Sequence, residues 1–338
     1  MTTLSPSFDL RSVLKLNARE ELIRDVQSGL GSRPRSLKPW ILYDDEGYRL
    51  FERNTTLPEY YPSRTERAIL ARHADEIIDA VCKHSSRSFR VLELGAGTVS
   101  KTSLLLTAAT HRHSEVVYMP IDVSQDALET ACERIGNLLP RVQLDPLVLN
   151  YVTSPPELER FNGATLALYL GSSIGNFVPE EAQRILRKLN SQLREGGALL
   201  LGTDLVKSKQ TLLAAYDDSE GITAAFNLNL LNRLNRDLGA NFDRARFQHL
   251  ALWNQENSRI EMHLESMRSQ EVRIEAADLC LQFERGETIH TENSYKFSDG
   301  TCSTLLEQSG FHVEKTWKDP SAWYGVTLAW VHAKDELA

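Results

Sequence analysis

The sequence has few cysteines, and their arrangement suits neither a metal site nor a disulfide framework. The 338 residues include four cysteines, which lie far apart at Cys82, Cys132, Cys280 and Cys302. Because the sequence contains neither a C-x-x-C pair nor a Cys/His cluster, we expect no metal site and no structural disulfides.

Long apolar runs are also absent. No segment approaches the roughly 18 consecutive apolar residues that a membrane-spanning helix needs. The first residues, MTTLSPSFDLRS, lack the basic-then-apolar pattern of a signal peptide. We therefore expect a soluble, cytoplasmic protein that does not associate with membranes.

A basic excess, which most nucleic-acid-binding proteins have, is missing as well. Lys and Arg total 38 against 46 Asp and Glu, which gives a formal net charge of -8, so nucleic acid is not an expected partner. The 41% hydrophobic and 25% charged residues are typical of a globular protein. The length exceeds the roughly 150 residues of an average domain, so one large or two intertwined domains are expected. We expect the chain to act as a monomer.

Short apolar segments alternate with helical patterns from residue 64 to residue 206. The predicted strands are 89–94, 116–121, 142–149, 164–170 and 198–203, and the predicted helices between them are 100–110, 125–138 and 179–194. Two further helices are predicted upstream, at 16–30 and 66–83. The alternation predicts an α/β fold whose parallel sheet is covered by helices on both faces.

The alternation ends after residue 206. Helical patterns over 210–238 give way to alternating segments such as 259–266 and 280–283. Two later segments, 311–316 and 323–332, are typical of closing antiparallel strands.

These patterns predict two lobes. The core would consist of residues 64–206 and 296–338, and the second lobe of residues 1–63 and 207–295. A cleft between the lobes would then lie over the carboxyl ends of the sheet strands, where open α/β folds bind ligands.

A glycine motif, Glu93-Leu94-Gly95-Ala96-Gly97-Thr98, lies where the first strand of the core turns into a helix. Glycines there let the backbone approach a ligand, and a helix N-terminus favours negative charge. The dinucleotide fingerprint G-x-G-x-x-G fails at its last glycine, because Ser100 stands there. A P-loop ending in Lys101-Thr102 meets the same obstacle, and the strand 164–170 does not end in the aspartate of a magnesium–nucleotide site.

A third interpretation of the motif is a site for S-adenosylmethionine. Such a site needs one acidic residue before the G-x-G turn and another at the end of the next strand, to hold the ribose hydroxyls. Glu93 precedes the turn, and Asp122 lies 25 residues after Gly97, at the end of the next strand. A tight turn with a capping aspartate is the plainer alternative. The combination of Glu93, Gly95, Gly97 and Asp122 favours the methyl-donor site.

Three further segments resemble those of one known family. They are Leu42-Tyr43-Asp44-Asp45-Glu46-Gly47, Leu57-Pro58-Glu59-Tyr60-Tyr61-Pro62-Ser63-Arg64-Thr65-Glu66 and Gly171-Ser172-Ser173-Ile174-Gly175-Asn176-Phe177. In these segments, and in order from about residue 16 to the end, the sequence resembles the histidine Nα-methyltransferases of ergothioneine biosynthesis. Ordinary methyltransferases share none of the three.

The resemblance implies a Rossmann-like class I methyltransferase core with a second, α+β substrate-binding lobe. It implies S-adenosyl-L-methionine as the cofactor and L-histidine as the small-molecule substrate. The α-amino nitrogen of histidine would receive three methyl groups, which gives the betaine hercynine.

The resemblance also implies which residues surround the amino acid. Tyr43, Tyr60, Asn176 and Tyr216 match positions around the amino and carboxylate groups. Tyr43 and Asn176 are the candidates for the catalytic task of orienting the amine.

The substrate ring would be contacted by the segment Thr291-Glu292-Asn293-Ser294 and by Met262. The Glu292 carboxylate can accept an imidazole N–H while Ser294 serves the other ring nitrogen. A tryptophan-type ring lacks that second nitrogen and would match the pair poorly.

On the cofactor side, Lys101 matches a lysine of the family's cofactor loop. Asn150-Tyr151 occupies the adenine-contacting position, where bacterial members commonly have Asp-Phe. The departure leaves the chemistry possible, because Asn can accept a hydrogen bond from the adenine amino group and Tyr can stack on the ring.

Less specific interpretations stay open for several residues. Tyr60 and Tyr61 could be aromatics between the lobes, and Met262 could be a core residue. Asn176 could cap the helix that follows it, and Glu292 could be a solvated charge. For the function, the alternatives are N-methylation of another amino acid such as a tryptophan derivative, a non-catalytic nucleotide-binding module of the same fold, or a P-loop switch.

Overall fold

The computed structural model describes residues 10–82, 88–97, 99–153, 155–193 and 196–332. Thr98 of the glycine motif, the last residues of the helices predicted over 66–83 and 179–194, and both chain termini, including the start at which no signal peptide is expected, lie outside the described residues.

The described residues form helices and strands in both predicted lobes. The helices are α1 (Leu10–Gly31), α2 (Asp45–Asn54), α3 (Tyr61–Cys82), α4 (Thr102–Thr110), α5 (Gln125–Leu138), α6 (Pro179–Leu193), α7 (Lys209–Tyr216), α8 (Ile222–Leu238) and α9 (Asp299–Gln308). The strands are β1 (Arg35–Ser36), β2 (Ser88–Leu94), β3 (Glu115–Asp122), β4 (Gln143–Leu144), β5 (Leu147–Val148), β6 (Ala164–Tyr169), β7 (Ala198–Asp204), β8 (Phe247–Asn254), β9 (Arg259–Ser266), β10 (Gln270–Ile274), β11 (Leu279–Phe283), β12 (Thr288–Tyr295), β13 (Phe311–Lys318) and β14 (Tyr324–Val331).

The larger sheet has the strand order β13-β14-β7-β6-β2-β3-β4, and β5 pairs with the end of β3. Strands β2 to β7 are parallel to their neighbours, whereas β13 and β14 form an antiparallel hairpin next to β7. The chain runs outward from β2 to β5 and then returns to β6 on the other side of β2. The strand order therefore reverses between β2 and β6, which is where open α/β sheets bind ligands.

Successive residues of the parallel strands enter two different cores. Val91 of β2 and Leu200 of β7 pack with α3, α4 and α5 on one face. Leu92 and Leu199 pack with α6 and α9 on the other face. The central strands are buried on both faces, which explains their continuous apolar sequence. The predicted parallel sheet with helices on both faces is confirmed.

The second lobe is built around a four-stranded sheet with the order β1-β12-β9-β8. Its buried side chains come from residues 22–61 and 212–289, whereas the two cores of the larger sheet use residues 69–205 and 297–329. The division into two lobes stays a prediction, and this distribution of buried side chains supports it.

Two predicted segments are interrupted, each for a local reason. The strand predicted over 142–149 is split into β4 and β5, because Pro146 between them has no backbone N–H to donate. The helical patterns predicted over 210–238 form two helices, α7 and α8, with a break between them. Gly221 has a φ of +69° at the start of α8, and the Asp218 carboxylate accepts hydrogen bonds from the first two N–H groups of that helix.

Candidate active site

A cavity of about 670 Å³ lies at the carboxyl ends of β2, β3 and β6 and is closed from above by the second lobe. All seven residues predicted for the cofactor line it, as do six of the seven predicted for the substrate. Met262 is the exception. It is 2% exposed and belongs to the core of the second lobe, where it lies opposite Glu292 on the neighbouring strand β9.

The glycine loop after β2 forms one wall of the cavity. Gly95 and Gly97 have φ values of +75° and +50°, a region that glycine enters without steric cost. The Gly95 N–H donates to the Ile121 carbonyl at 2.8 Å, which ties the loop to the end of β3. A Cβ at Gly95 would stand 3.7 Å from the Tyr151 hydroxyl, so this tyrosine lies over the loop.

Glu93 supports the loop from below. Thr102 donates to one of its carboxylate oxygens and Tyr118 to the other. Burial raises the pKa of Glu93 to about 7, in spite of these two hydrogen bonds. Because protein donors already occupy both oxygens, the geometry favours a role for Glu93 in holding the loop in place.

Asp122 is the acidic residue best placed to meet a ribose. It is 3% exposed, and its Oδ1 accepts hydrogen bonds from the Tyr48 hydroxyl at 2.6 Å and from the Ser124 N–H at 3.0 Å. Burial raises the pKa of this carboxyl, and the Tyr48 hydrogen bond opposes the shift. Tyr48 belongs to α2, so its hydrogen bond to Asp122 connects the second lobe to the side of the cavity predicted for the cofactor.

Lys101 is held by the carboxylate of Glu66, for which the sequence analysis predicts no role. Its Nζ lies 2.6 Å from the Glu66 carboxylate, which also accepts from the Gly171 N–H at 2.9 Å and the Tyr324 hydroxyl at 2.9 Å. Glu66 is fully buried. It fits only because Gly202 has no side chain, since a Cβ there would stand 1.9 Å from the Glu66 carboxylate. In the sequence, Glu66 ends one of the three family segments and is a charged residue on the apolar side of α3, but neither signal identifies its partners.

The Asn150-Tyr151 pair lies at the edge of the same cavity. The Asn150 amide donates to Glu21 at 2.8 Å, and its oxygen accepts from the Val152 N–H at 3.2 Å. Tyr151 packs edge-on against Tyr169 with ring centroids 5.8 Å apart. The adenine-contacting role of the pair stays a prediction.

Aromatic side chains form the wall of the cavity on the substrate side. Tyr43 makes ring contacts with Phe51 and Phe226, and Tyr60 with Phe51 and Tyr216, at centroid distances of 5.5–6.2 Å. Burial raises the pKa values of the Tyr43 and Tyr60 hydroxyls well above their ordinary range. Both phenols therefore stay uncharged, and within the described chain neither hydroxyl has a hydrogen-bond partner.

Asn176 and Glu292 meet across the two lobes. The Asn176 amide donates to the Glu292 carboxyl at 3.0 Å. Gly175 allows this approach, because a Cβ there would stand 2.9 Å from the Tyr295 carbonyl oxygen in β12. Glu292 is 6% exposed, and burial raises its pKa to about 8. The alternative interpretation of Glu292 as a solvated charge is therefore wrong.

Ser294 and Tyr216 share a hydrogen bond of 2.7 Å beside Glu292. The Lys296 ammonium donates to both hydroxyls and lies 2.8 Å from the Asp204 carboxylate at the end of β7. Sequence reasoning missed Lys296 and Asp204, because neither lies in a recognisable motif and their pairing depends on how β7 and β12 meet.

Two features are absent from the described residues. Among the residues placed by the structure, no three His, Cys, Asp or Glu side chains are arranged to hold a metal ion. Likewise, no helix of the described ranges is both long and apolar enough to cross a membrane.

The cavity suits S-adenosylmethionine. Its volume is within the range of about 300–1,000 Å³ found for small-molecule sites. The glycine loop offers close backbone approach, and Asp122 stands at the end of the neighbouring strand. With the strand-order reversal between β2 and β6, these features define a Rossmann-like, class I S-adenosylmethionine-dependent methyltransferase.

Comparison with known proteins gives the family. A family model described as histidine-specific, S-adenosylmethionine-dependent methyltransferase matches residues 22–331. The histidine N-alpha-methyltransferase of Mycolicibacterium smegmatis is 40% identical over 315 residues, which are 93% of this chain and 96% of that protein. Its counterpart from Mycobacterium tuberculosis is 40% identical over 308 residues, 91% of this chain and 94% of that protein. Ergothioneine biosynthesis protein 1 of Schizosaccharomyces pombe is 28% identical over 291 residues, 84% of this chain and 37% of that protein.

The chain therefore belongs to the family of histidine-specific, S-adenosylmethionine-dependent methyltransferases. It is an enzyme that uses S-adenosyl-L-methionine, and the predicted family is confirmed.

Proposed function

We propose that this enzyme transfers three methyl groups from S-adenosyl-L-methionine to the α-amino nitrogen of L-histidine, giving hercynine for ergothioneine biosynthesis. Two relatives that are 40% identical over more than nine-tenths of the chain carry the name histidine N-alpha-methyltransferase. The name of the fission-yeast relative supports the pathway.

The observation that carries the proposal is the position of Glu292 and Ser294 in the cavity. Both line it, both are nearly buried, and they occupy alternate positions of β12, so their side chains leave the same face of the strand. A buried carboxyl beside a buried hydroxyl matches the two nitrogens of an imidazole. A purely apolar ring would leave the Glu292 carboxyl with the Asn176 amide as its partner and would give its second oxygen no donor, at a cost of roughly 1–3 kcal/mol.

The other end of the substrate would lie against Tyr43, Tyr60 and Asn176. When bound, S-adenosylmethionine supplies a methyl group on a positively charged sulfur. Asn176 and the tyrosine hydroxyls orient the amine lone pair toward that methyl group, and such positioning contributes several kcal/mol to catalysis. These neutral groups can both donate and accept hydrogen bonds. They can therefore serve an amine that loses one N–H with every methyl it gains.

The amine must lose a proton before each transfer, because only its lone pair can attack. The raised pKa values of Tyr43 and Tyr60 mean that neither is a phenolate near neutral pH. We infer that these hydroxyls guide the proton toward solvent and do not remove it as charged bases.

A tryptophan derivative is the second candidate substrate, because the aromatic wall of the cavity suits an indole as well. The test is to offer the common amino acids, each with S-adenosylmethionine, and to follow product masses. We expect histidine to gain up to three methyl groups. Unmodified histidine beside a methylated tryptophan or other amino acid would contradict the proposal.

A variant tests the ring contact. We expect Glu292→Ala to raise the Kd of histidine about ten- to a hundredfold, because the ring N–H would lose its buried acceptor, at a cost of roughly 1–3 kcal/mol. The matched control is Glu284→Ala, which removes an exposed carboxylate next to β11 and should leave histidine affinity unchanged. Equal affinity in wild type and Glu292→Ala would show that this carboxyl does not contact the ring.

A further inference from the structure

Lys296 lies directly behind the residues that would face the substrate ring. Its Nζ is 2.8 Å from the Asp204 carboxylate, 2.8 Å from the Tyr216 hydroxyl and 2.7 Å from the Ser294 hydroxyl, and the side chain is fully buried. An ammonium group has three hydrogens and no lone pair. All three hydrogens are therefore used, and the oxygens of Tyr216 and Ser294 both act as acceptors toward Lys296.

The hydrogen bond between Tyr216 and Ser294 has a preferred direction. Either hydroxyl could donate over their 2.7 Å contact. A phenol is more acidic than an aliphatic alcohol and is the better donor, so we infer that Tyr216 donates to Ser294. Ser294 then accepts from Lys296 and from Tyr216, which fills both of its lone pairs. Its own hydrogen is left over, and because Ser294 lines the cavity, that hydrogen is offered to the ligand.

We propose that Lys296 is a positioning residue that makes Ser294 a hydrogen-bond donor, and not an acceptor, toward the substrate ring. The site consequently takes the uncharged imidazole, in the tautomer whose N–H faces Glu292. The pyridine-type nitrogen accepts from Ser294 while the opposite N–H is donated to the carboxyl. An imidazolium has N–H groups on both nitrogens and finds no acceptor at Ser294. This inference rests on the proposed function, since it takes histidine as the substrate.

The charged groups near the ring have opposite effects on its protonation. The buried ammonium of Lys296 opposes a positive ring, whereas an ionised Glu292 would favour one. Asp204 lies on the far side of Lys296 and is shared with Lys207 at 2.5 Å, so its charge is already paired. The saturated lone pairs of Ser294 decide between the two states of the ring, because they exclude the doubly protonated form by geometry.

The first experiment uses the wild-type enzyme. Histidine with both ring nitrogens labelled with ¹⁵N is bound in the presence of S-adenosylhomocysteine at pH about 6, where the free ring is mostly protonated. We expect one pyridine-type and one pyrrole-type nitrogen signal. Two pyrrole-type signals would overturn the inference while leaving histidine as the substrate. A complete absence of histidine binding would contradict the proposed function itself, and this inference with it.

The second experiment tests the part played by Lys296. The ligands are histidine and the two pyrrolylalanine isomers, which keep one ring N–H but have no pyridine-type nitrogen. We expect wild type to favour histidine by about tenfold, the value of one hydrogen bond, over the isomer whose N–H faces Glu292. The preference over the other isomer should be larger, because that isomer loses both ring contacts. Lys296→Met should reduce the tenfold preference to about threefold, because Ser294 can then turn its hydrogen to Tyr216.

The matched control is Lys207→Met, which removes the other ammonium from Asp204 without touching Ser294 or Tyr216. It should keep the tenfold preference. An undiminished preference in Lys296→Met would overturn the positioning role. Affinity for S-adenosylhomocysteine reports whether each variant folds. The ¹⁵N measurement needs no variant, so the inference can be contradicted even if Lys296→Met does not fold.

Discussion

At the scale of single residues, buried carboxyl groups occupy the main polar positions of this site. Burial disfavours the charged form of each, so its hydrogen-bond and charge partners determine how readily it ionises. Glu93, between two hydroxyl donors, has a pKa of about 7, and Glu292, which receives one amide, has a pKa of about 8. Asp204 instead lies between two lysines. The same functional group thus serves for support, substrate contact and charge pairing.

Asp122 gives the first prediction. We expect Asp122→Asn to raise the Kd of S-adenosylhomocysteine about ten- to a hundredfold, because a neutral amide replaces a charged acceptor of the ribose hydroxyls. Isothermal calorimetry measures the change. Asp145→Asn is the control, since Asp145 follows the neighbouring strand β4 but is exposed and does not line the cavity. An unchanged Kd of S-adenosylhomocysteine in Asp122→Asn would contradict the prediction that Asp122 binds the ribose.

The raised pKa of Glu292 predicts a pH effect on stability. Its value of about 8 in the folded protein exceeds the roughly 4.3 of an unfolded glutamate. Between these pH values the folded state keeps a proton that the unfolded state has lost, so the free energy of unfolding falls as the pH rises toward 8.

Glu292→Gln lacks this titration. Its stability relative to wild type should therefore increase by about 2–4 kcal/mol between pH 5 and pH 8, as measured by urea unfolding. Glu284→Gln, at an exposed position, should show no such trend. If the difference between Glu292→Gln and wild type is the same at both pH values, the carboxyl is not held in its neutral form.

At the scale of elements, the short turn Ser173–Asn176 determines whether the two halves of the site meet. It packs against β12, and Gly175 lies where a Cβ would be 2.9 Å from the Tyr295 carbonyl oxygen and 3.3 Å from the Tyr295 nitrogen. Both neighbours are backbone atoms of a paired strand, so they cannot move aside cheaply.

We therefore expect Gly175→Ala to push the turn away from β12. The free energy of unfolding should fall by about 1–3 kcal/mol, and histidine should bind more weakly because Asn176 no longer reaches Glu292.

Gly136→Ala is the control for this prediction. Gly136 is in helix α5 with its nearest neighbour atom at 3.7 Å, where alanine should stabilise. Thermal unfolding measures the stability of both variants, and calorimetry measures their histidine affinity. If Gly175→Ala changes neither, a Cβ fits between the turn and β12.

The elements predictable from sequence are those whose signals are local. The glycine loop and Asp122 belong to a continuous strand–turn–helix–strand segment, and α5 and β9 have the bounds that their apolar spacing predicts. Glu66 is a residue whose role local sequence signals do not predict. Its role depends on Gly171, 105 residues away, and on the space left by Gly202, and no local pattern reports either contact.

Strand β8 was missed for a related reason. Its residues are mostly half-buried, so polar and apolar side chains do not alternate cleanly. Lys296 would be taken from the sequence for a surface lysine, since full burial of this residue type is rare without a partner. Only the folded chain brings Asp204 to it.

At the scale of the whole molecule, the two predicted lobes are joined by buried contacts and by repeated crossings of the chain. Hydrogen bonds cross the predicted boundary from Tyr48 to Asp122, from Tyr61 to Asp204 and from Asn176 to Glu292. We therefore expect a single calorimetric unfolding transition for both lobes.

Saturating S-adenosylhomocysteine should shift this whole transition upward, by RT ln(1 + [L]/Kd) in free energy. Two resolved transitions, of which only one responds to the ligand, would show that the lobes unfold independently. Even if S-adenosylhomocysteine contacts only residues of the larger sheet, it should stabilise β12 as well. Slower hydrogen exchange of the β12 amides in the presence of the ligand provides an independent measurement.

The alternation of side chains along β12 also has a practical consequence for redesign. Glu292, Ser294 and Lys296 occupy every second position, on the side toward the cavity and Asp204, whereas Asn293 and Tyr295 leave the strand on its other side. One mutagenic primer of five codons therefore covers both ring contacts and the lysine that orients one of them. Libraries that randomise Glu292 but keep Ser294 and Lys296 would retain a fixed donor at the ring. Selection for rings without a pyridine-type nitrogen from libraries that vary all three positions should recover changes at Ser294 and Lys296 together.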